Sequence, residues 1–141
     1  MNKFEEAEKI IDLYQTADGS KVHYTSKIIL KKARYISDTK QVYDAIDYIK
    51  NEIVRDPKML NVIKCIPSLC KSKPEIQYAI NMTNEFRNAS FEQCIILSTI
   101  ANLHFALEDY DSERIVVNTM DYNCRRKYLA KRFKNQKNND N

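Results

Sequence analysis

Apolar residues recur at intervals of three and four along most of the chain, and this spacing is typical of amphipathic helices. The stretch 42–55 is the clearest case, with a continuous apolar face, and it is followed by Asp56 and Pro57. A proline excludes the residue before it from the α-helical region, so we expect this helix to end there. The same spacing predicts further helices over approximately residues 3–16, 26–36, 58–66, 74–86 and 93–107, and a last long segment after residue 112.

Short polar stretches separate these segments. Gly19, the only glycine of the chain, lies where the first helix is expected to end. Pro67 is expected to bend or shorten the helix that contains it, because a proline removes a main-chain hydrogen bond. Pro74 suits the first turn of the next helix. Ser90 and Gln93 have the spacing of a capping box, which predicts the start of the most apolar helix at that point.

The scarcity of glycine also bears on the fold class. Hairpin turns of β-sheets commonly need residues with positive φ, and glycine is the usual one. One glycine in 141 residues therefore favours an all-α protein. With a mass of 16.6 kDa, residues 1–134 are expected to form a single helical domain, followed by a disordered polar tail, residues 135–141.

The chain contains no stretch that approaches the roughly 18 apolar residues of a membrane-spanning helix. Its first residues, 1–14, are amphipathic and acidic, unlike a signal peptide. We therefore expect a cytoplasmic protein that does not contact membranes. The abundance of lysine, asparagine and isoleucine is typical of AT-rich genomes, whether bacterial, phage or viral.

The apolar pattern repeats at a step of 34 residues. At this step apolar residues coincide with apolar residues and Ala45 coincides with Ala79, but Ala33 meets Pro67, Pro57 meets Phe91 and Ala79 meets Glu113. Repetition at a fixed period is the mark of a repeat architecture. The matched sets are Ile29, Ile63 and Leu97; Val42, Ile76 and Tyr110; and Ala45, Ala79 and Glu113.

Thirty-four residues is the period of the tetratricopeptide repeat, a pair of antiparallel helices that stacks on its neighbours. The segment YDAIDYIKNEIVRDP, residues 43–57, resembles the second helix and terminal proline of that family. The segment LSTIANLHFALEDYD, residues 97–111, resembles its first helix and turn. The resemblance covers about residues 26–125, or three units. It implies a right-handed stack of antiparallel helical hairpins with a capping helix at each end.

The chain departs from the family pattern at three points. The large aromatic residue early in the first helix is aliphatic here, Pro67 interrupts one helix, and Glu113 takes a small-residue position. Regular helical hairpins also produce some matches at any fixed period. An irregular α-helical bundle is therefore the alternative fold.

In the tetratricopeptide family the first helices line a concave groove that binds peptides. Carried over position by position, the resemblance implies a groove that is basic and rich in amides and contains no acid. Such a surface suits an acidic segment or a C-terminal carboxylate of a partner, because cations and amides donate to carboxylate oxygens. The alternative is that these cations are simply solvated. The implied partner-binding residues are Lys27, Leu30, Arg34, Asn61, Lys64, Ser68, Lys71, Ser98, Asn102 and Phe105.

Basic residues are concentrated near the C-terminus. Residues 125–137 contain seven of them and no acid, although the whole chain has a net charge of only +4. This arrangement fits contacts between a helix and nucleic-acid phosphates. The helical spacing of Tyr128, Leu129 and Phe133 favours a capping helix that packs on the last hairpin, and the two interpretations are compatible. The basic residues are Arg125, Arg126, Lys127, Lys131, Arg132, Lys134 and Lys137.

No residue pattern indicates catalysis. His23 lies in a predicted polar loop, and His104 lies on the apolar side of a helix, where a structural role is expected. The chain lacks a glycine-rich phosphate loop, and it contains neither a G-x-S-x-G nor an H-E-x-x-H motif. We therefore predict a protein that is not an enzyme and that binds no cofactor or metal.

The four cysteines are Cys65, Cys70, Cys94 and Cys124. A domain of this size needs no disulfide, so we expect reduced and mostly buried thiols. A zinc site formed by His104 with Cys65 and Cys70 is the less favoured alternative, because the usual ligand spacing is missing.

The sequence favours a non-catalytic adaptor or regulatory protein that binds a partner protein or peptide through the basic, amide-rich surface. The alternative is a small nucleic-acid-associated factor, an accessory of transcription or replication, that acts through its basic C-terminal helix, residues 125–137. Nucleic-acid binding weakens steeply with salt, so salt dependence separates the two functions.

Overall fold

The computed structural model describes residues 3–4, 18–89 and 91–139; the side chains of residues 18–22 and 135–139 are not described. Within these ranges the chain forms helices joined by loops and no strand, so the all-α prediction is confirmed. None of the helices in these ranges has the length and hydropathy needed to cross a membrane. The elements are α1 (Asp18–Thr39), α2 (Val42–Arg55), a 3₁₀ segment (Pro57–Cys65), α3 (Ile66–Leu69), α4 (Lys73–Asn84), α5 (Gln93–Ala106), α6 (Tyr110–Thr119) and α7 (Tyr122–Asn139).

Helix α1 begins earlier than the apolar pattern predicts. Residues 18–25, which include Gly19 and His23, are already helical, so the polar loop predicted before Ser26 is wrong. A glycine inside a helix costs only about 1 kcal/mol relative to alanine. A long helix with a buried face can tolerate that cost.

The helix predicted for residues 3–16 lies outside the described residues, except for Lys3 and Phe4, which are helical. The ring of Phe4 lies 5.8 Å from that of Tyr35. This contact places the start of the chain beside the C-terminal part of α1.

The helix predicted to be bent or shortened by Pro67 is a 3₁₀ segment followed by the short helix α3. A proline ring collides with the carbonyl group four residues earlier in a continuous α-helix, which here belongs to Ile63. The buried residues Leu60, Ile63, Ile66 and Leu69 recur every three positions. Three residues per turn is the geometry of a 3₁₀ helix, so this spacing brings all four side chains to one face.

Helix α2 ends at Arg55, directly before Asp56 and Pro57, as predicted. The next prediction, that α4 begins near Pro74, holds to within one residue. A capping box starts α4, in which the Ser72 hydroxyl accepts from the Glu75 N–H and the Glu75 carboxylate accepts from the Ser72 N–H. This box satisfies main-chain donors that the first turn of a helix leaves unpaired.

The capping box predicted for Ser90 and Gln93 involves Ser90, which lies outside the described residues. The residue that precedes α5 is Glu92, which has a left-handed backbone conformation (φ 58°) and makes no side-chain cap. The Gln93 amide instead donates to the main-chain carbonyl groups of Arg87, at 3.0 Å, and of Ala89. Gln93 therefore ties the start of α5 to the preceding loop.

Helix α1 and the 3₁₀ segment pack side by side. The Ser26 hydroxyl lies 3.5 Å from the Asn61 amide oxygen and 3.6 Å from the Met59 sulfur. Further along both elements, the charge of Arg34 acts on Cys65. The two contacts occur in the same order along each element, so the elements run in the same direction.

Helices α2 and α4 are also parallel neighbours. The rings of Tyr43 and Tyr78 meet edge to face with centroids 5.1 Å apart, and Lys50 forms an ion pair with Glu85 at 2.7 Å. In each pair the two residues are 35 positions apart in the chain. The remaining contacts continue this arrangement, since α5 packs on the 3₁₀ segment, α4 and α6, and α7 packs on α5.

One core runs through these elements and includes residues of every helix from α1 to α7. Ala45 on α2 and Ala79 on α4 are fully buried within it. Tyr128 of α7 is buried at one end, which ties the last helix to the core. Helix α7 continues through residues 135–139, which the sequence assigns to the polar tail.

Candidate functional site

Helix α1 and the 3₁₀ segment present an exposed group of basic side chains, which we call the first cationic surface. Its residues are Lys27, Lys31, Arg34 and Lys64, all exposed. The α1 members are three and four residues apart and so follow one face of the helix. Lys64 lies one 3₁₀ turn beyond Asn61, which contacts α1. Lys31 was missed by sequence reasoning, although its helical spacing from its neighbours could have identified it.

Two residues of this surface, Arg34 and Lys64, act electrostatically on the partly buried thiol of Cys65. Burial raises the pKa of the Cys65 thiol to about 11, while the nearby charges of Arg34 and Lys64 act in the opposite direction. The thiol is therefore protonated at neutral pH and is a poor nucleophile. Arg34 belongs to α1 and Lys64 to the 3₁₀ segment, so cations of two separate elements lie near this thiol.

The other residues of the predicted groove have varied surroundings. Lys71 is exposed in the loop before α4, and Asn102 is exposed on α5. The Ser68 hydroxyl is exposed and donates to the Cys65 carbonyl at 2.6 Å. Phe105 is partly buried beneath Arg132, whose guanidinium carbon lies 3.9 Å from the ring centroid. The structure thus brings the cations of α1 and the 3₁₀ segment together but assigns Phe105 to a contact with α7.

The basic C-terminal helix α7 is attached to α6 through a buried carboxylate. Glu113 is only 6% exposed, and both of its oxygens accept from the Arg132 guanidinium, at 3.0 and 3.3 Å. The Tyr128 hydroxyl donates to the same carboxylate. Burial and this hydrogen bond raise the pKa of Tyr128, and the hydrogen bond to Glu113 raises the pKa of Arg132. Glu113 therefore holds two residues of α7.

A second basic residue of α7 has a structural role. The Arg125 guanidinium donates to three main-chain carbonyl groups at the end of α6, those of Val117, Asn118 and Met120, at 3.2 to 3.3 Å. The last carbonyl groups of a helix have few helical partners, although the Met120 N–H also donates to the Val117 carbonyl at 3.1 Å, and a cation beside them complements the helix dipole. Of the basic residues predicted to contact nucleic acid, Arg125 and Arg132 are thus bound within the protein.

The remaining described cations of α7 are Arg126, Lys127, Lys131 and Lys134, and all are exposed. We call them the outer α7 face. None of them forms an ion pair within the described residues. The side chain of Lys137, the seventh basic residue of the prediction, lies outside the described residues.

A groove with a volume of about 370 Å³ separates α6 from α7. Its lining includes the apolar residues Val117, Leu129 and Phe133 and three arginines. Two of these arginines are the bound Arg125 and Arg132, and Arg114 pairs with Asp111 at 3.1 Å. The charged groups of this groove are therefore already paired within the protein.

Cys94 and Cys124 form a disulfide between α5 and the start of α7, with Cα atoms 5.5 Å apart. The prediction that all four cysteines are reduced is wrong for this pair. That prediction considered only whether the domain needs a disulfide, whereas proximity in the fold brings the two sulfur atoms together. Cys65 and Cys70 are free thiols, and burial raises the pKa of each to about 11.

The two histidines show no catalytic arrangement in the described part of the chain. His23 is exposed on α1, its ring 5.8 Å from that of Tyr24, rather than in a loop. His104 is partly buried, and its Nδ1 has no hydrogen-bond partner among the described residues. These residues contain no cluster of three His, Cys, Asp or Glu side chains that could hold a metal, so His104 does not meet Cys65 and Cys70 in a zinc site.

Comparisons with family models, with curated proteins and with solved structures return no match to this chain.

Proposed function

We propose that this protein is a non-catalytic adaptor that binds an acidic segment of a partner protein through the first cationic surface. One observation carries the proposal: two elements far apart in the chain lie side by side and both present exposed cations there. Lys27, Lys31, Arg34 and Lys64 form no ion pair within the described residues.

The chemistry of this surface suits carboxylates. An arginine guanidinium can donate two parallel hydrogen bonds to one carboxylate, and lysine ammonium groups add charge at neighbouring positions. Like charges three or four residues apart on a helix repel each other. An acidic ligand would relieve that repulsion, which no described side chain of the protein does.

The arrangement of the helices supports a stack of hairpins of the tetratricopeptide type. Contacts at sequence separations of 33 and 35 residues join α1 to the 3₁₀ segment, and contacts at 35 residues join α2 to α4. Contacts near the repeat period are what such a stack requires. In this proposal α1, the 3₁₀ segment with α3, and α5 are the first helices of three units, and α7 is the capping helix.

The experiment is a binding titration with a fluorescein-labelled peptide rich in glutamate and aspartate, followed by fluorescence anisotropy. The double variant Arg34→Glu/Lys64→Glu should weaken binding at least tenfold, which corresponds to about 1.4 kcal/mol. Because both residues are exposed, circular dichroism should show unchanged helix content.

The matched control is Lys127→Glu/Lys131→Glu, which changes the net charge by the same amount on a different surface. This variant should retain most of the affinity for the acidic peptide. Equal weakening by both variants would mean that the peptide responds only to net charge, and the proposed site would be rejected.

A further inference from the structure

The outer α7 face is a second cationic surface, and acidic-peptide binding by the first surface does not account for it. We propose that this face binds the phosphate backbone of single-stranded nucleic acid, with Phe133 and Tyr122 stacking on bases. The proposal is independent of the function of the first cationic surface.

The helix that carries this face is held in place at three points. The disulfide from Cys94 to Cys124 fixes its first turn, Arg125 attaches it to the end of α6, and Arg132 attaches it to Glu113. These contacts occupy the inner side of α7. The exposed cations are thus presented on a helix that is already ordered, which lowers the entropic cost of binding.

The charges of the face match a polyanion. Lys127, Lys131 and Lys134 follow one stripe of α7 and extend over roughly 10 Å of its length. Helix α7 contains no acidic residue, so its own sequence cannot neutralise them. Successive phosphates of one strand offer a row of negative charges along which such a stripe can lie.

Two exposed aromatic residues lie beside Arg126 at one edge of this face, and one of them, Phe133, also lines the groove between α6 and α7. Tyr122 is 72% exposed and Phe133 is 63% exposed. Phe133 is seven residues after Arg126, which is nearly two full turns, so the two side chains emerge on the same side of the helix. An exposed ring next to a cation is the combination by which proteins hold unpaired bases and their backbone.

A membrane surface is a weaker fit to the same charges. Helices that lie in a lipid interface insert a continuous apolar face. The apolar side of α7 carries Tyr128 and Leu129, which pack against the rest of the protein. Apart from these residues the helix offers only the separate rings of Tyr122 and Phe133, and Phe133 lines the groove between α6 and α7, so the observations favour nucleic acid.

The test uses fluorescence anisotropy with a labelled oligothymidylate of about 20 nucleotides, which exceeds the site size of one small binding domain. Four phosphate contacts predict that affinity falls about 20-fold when the salt concentration is tripled. Matched oligouridylate and duplex DNA probes show whether sugar type or strandedness matters.

Neutralisation of the outer α7 face tests its location. The variant Arg126→Gln/Lys127→Gln/Lys131→Gln/Lys134→Gln should lose at least tenfold in affinity and most of the salt dependence. The control variant Lys27→Gln/Lys31→Gln/Arg34→Gln/Lys64→Gln removes the same number of charges from the first cationic surface. It should keep both the affinity and the salt dependence of the native protein. Circular dichroism and the unfolding midpoint establish that each variant is folded.

Phe133→Ala separates stacking from simple charge attraction. Loss of one stacked base should weaken binding of the single-stranded probe roughly fivefold or more, while the affinity for the duplex probe stays unchanged. The proposal would be overturned by equal losses in the two four-residue variants, by no binding of the single-stranded probe at low salt, or by binding of phosphatidylserine vesicles in its place.

Discussion

Glu113 on α6 and Arg132 on α7 form a two-point ion pair in which the carboxylate is buried and the guanidinium is partly buried. The Arg132 guanidinium lies over the ring of Phe105 and also contacts the carboxylate, so α5, α6 and α7 meet at this point. Glu113 is also one of the residues at which the 34-residue pattern fails. The structure supplies a physical reason for the failure, because the carboxylate is needed to hold the last helix.

Replacement of Glu113 by alanine should destabilise the protein by about 1–3 kcal/mol, since it removes the carboxylate that pairs with the partly buried Arg132 and accepts from the buried Tyr128. Urea unfolding measures this change. The double variant Glu113→Leu/Arg132→Met removes both charges and should recover much of the loss. An unfolding midpoint that is unchanged in Glu113→Ala would show that the ion pair does not hold α7.

The hydrogen bond from Tyr128 to Glu113 predicts a loss of stability in alkali. The pKa of Tyr128 is raised in the folded protein, so the unfolded chain loses this proton first, near pH 10. Its contribution is therefore complete below that pH and decreases as the pH rises further.

The measurement compares urea unfolding of the native protein and of Tyr128→Phe at neutral pH and above pH 10. Phenylalanine cannot ionise, so the variant should lose less stability between the two conditions. The thiols of Cys65 and Cys70 also have raised pKa values but are present in both proteins, so they cancel in the comparison. Identical pH dependence in the two proteins would contradict the assignment.

Glu108→Gly should stabilise the protein by roughly 0.5–1 kcal/mol. Glu108 has φ 60° after the end of α5, where the Asp109 N–H reaches the His104 carbonyl at 3.0 Å and the Glu108 N–H reaches that of Phe105 at 2.9 Å. This left-handed position strains any residue that has a Cβ atom. Thermal unfolding should show a higher midpoint for glycine and no gain for the control Glu108→Ala.

Ala45→Leu should destabilise the protein by roughly 1–3 kcal/mol, because Ala45 is fully buried and a larger side chain must displace its neighbours. The control Val54→Leu, at an exposed position of the same helix, should change stability by less than about 0.5 kcal/mol. Urea unfolding distinguishes the two. A tolerated leucine would mean that the helices do not approach closely at Ala45.

Reduction of the disulfide between Cys94 and Cys124 should lower stability by about 3–4 kcal/mol, because a loop of this length gains that much chain entropy in the unfolded state. Unfolding with and without dithiothreitol measures the change. In the double variant Cys94→Ala/Cys124→Ala the reductant should have no further effect. If dithiothreitol still lowered the stability of this variant, the sensitivity to reductant would come from another cysteine.

Much of the fold follows from local sequence. The apolar spacing from Val42 to Ile53 and the Asp56–Pro57 pair define α2 because helix formation and termination depend on near neighbours. The 3₁₀ form of residues 57–65 could not be predicted, because the buried residues Met59, Val62, Ile63 and Ile66 also have the spacing of an α-helix. The helical conformation of residues 18–25 could not be predicted either, because a polar helical turn and a polar loop have similar sequences.

The exposed cations of the first cationic surface could be listed from the sequence, because helical spacing alone separates Lys27 and Arg34 from the buried face. The sequence could not show which basic residues of α7 are free. In the sequence, Arg125 and Arg132 cannot be distinguished from Arg126 and Lys127, since all four are basic residues of one helix. They differ in the groups that they contact in the fold.

The sequence by itself determined the helical class, the bounds of α2, α4 and α5 to within about two residues and the concentration of positive charge near the C-terminus, since these depend on residues within a few turns of one another. It did not separate α6 from α7, which it predicts as one long segment. Only the tertiary structure decided that Glu113 meets Arg132, 19 residues away, and that Cys94 meets Cys124, 30 residues away. Each of these pairs depends on how helices pack. Packing brings side chains together across distances in the chain over which periodicity carries no information.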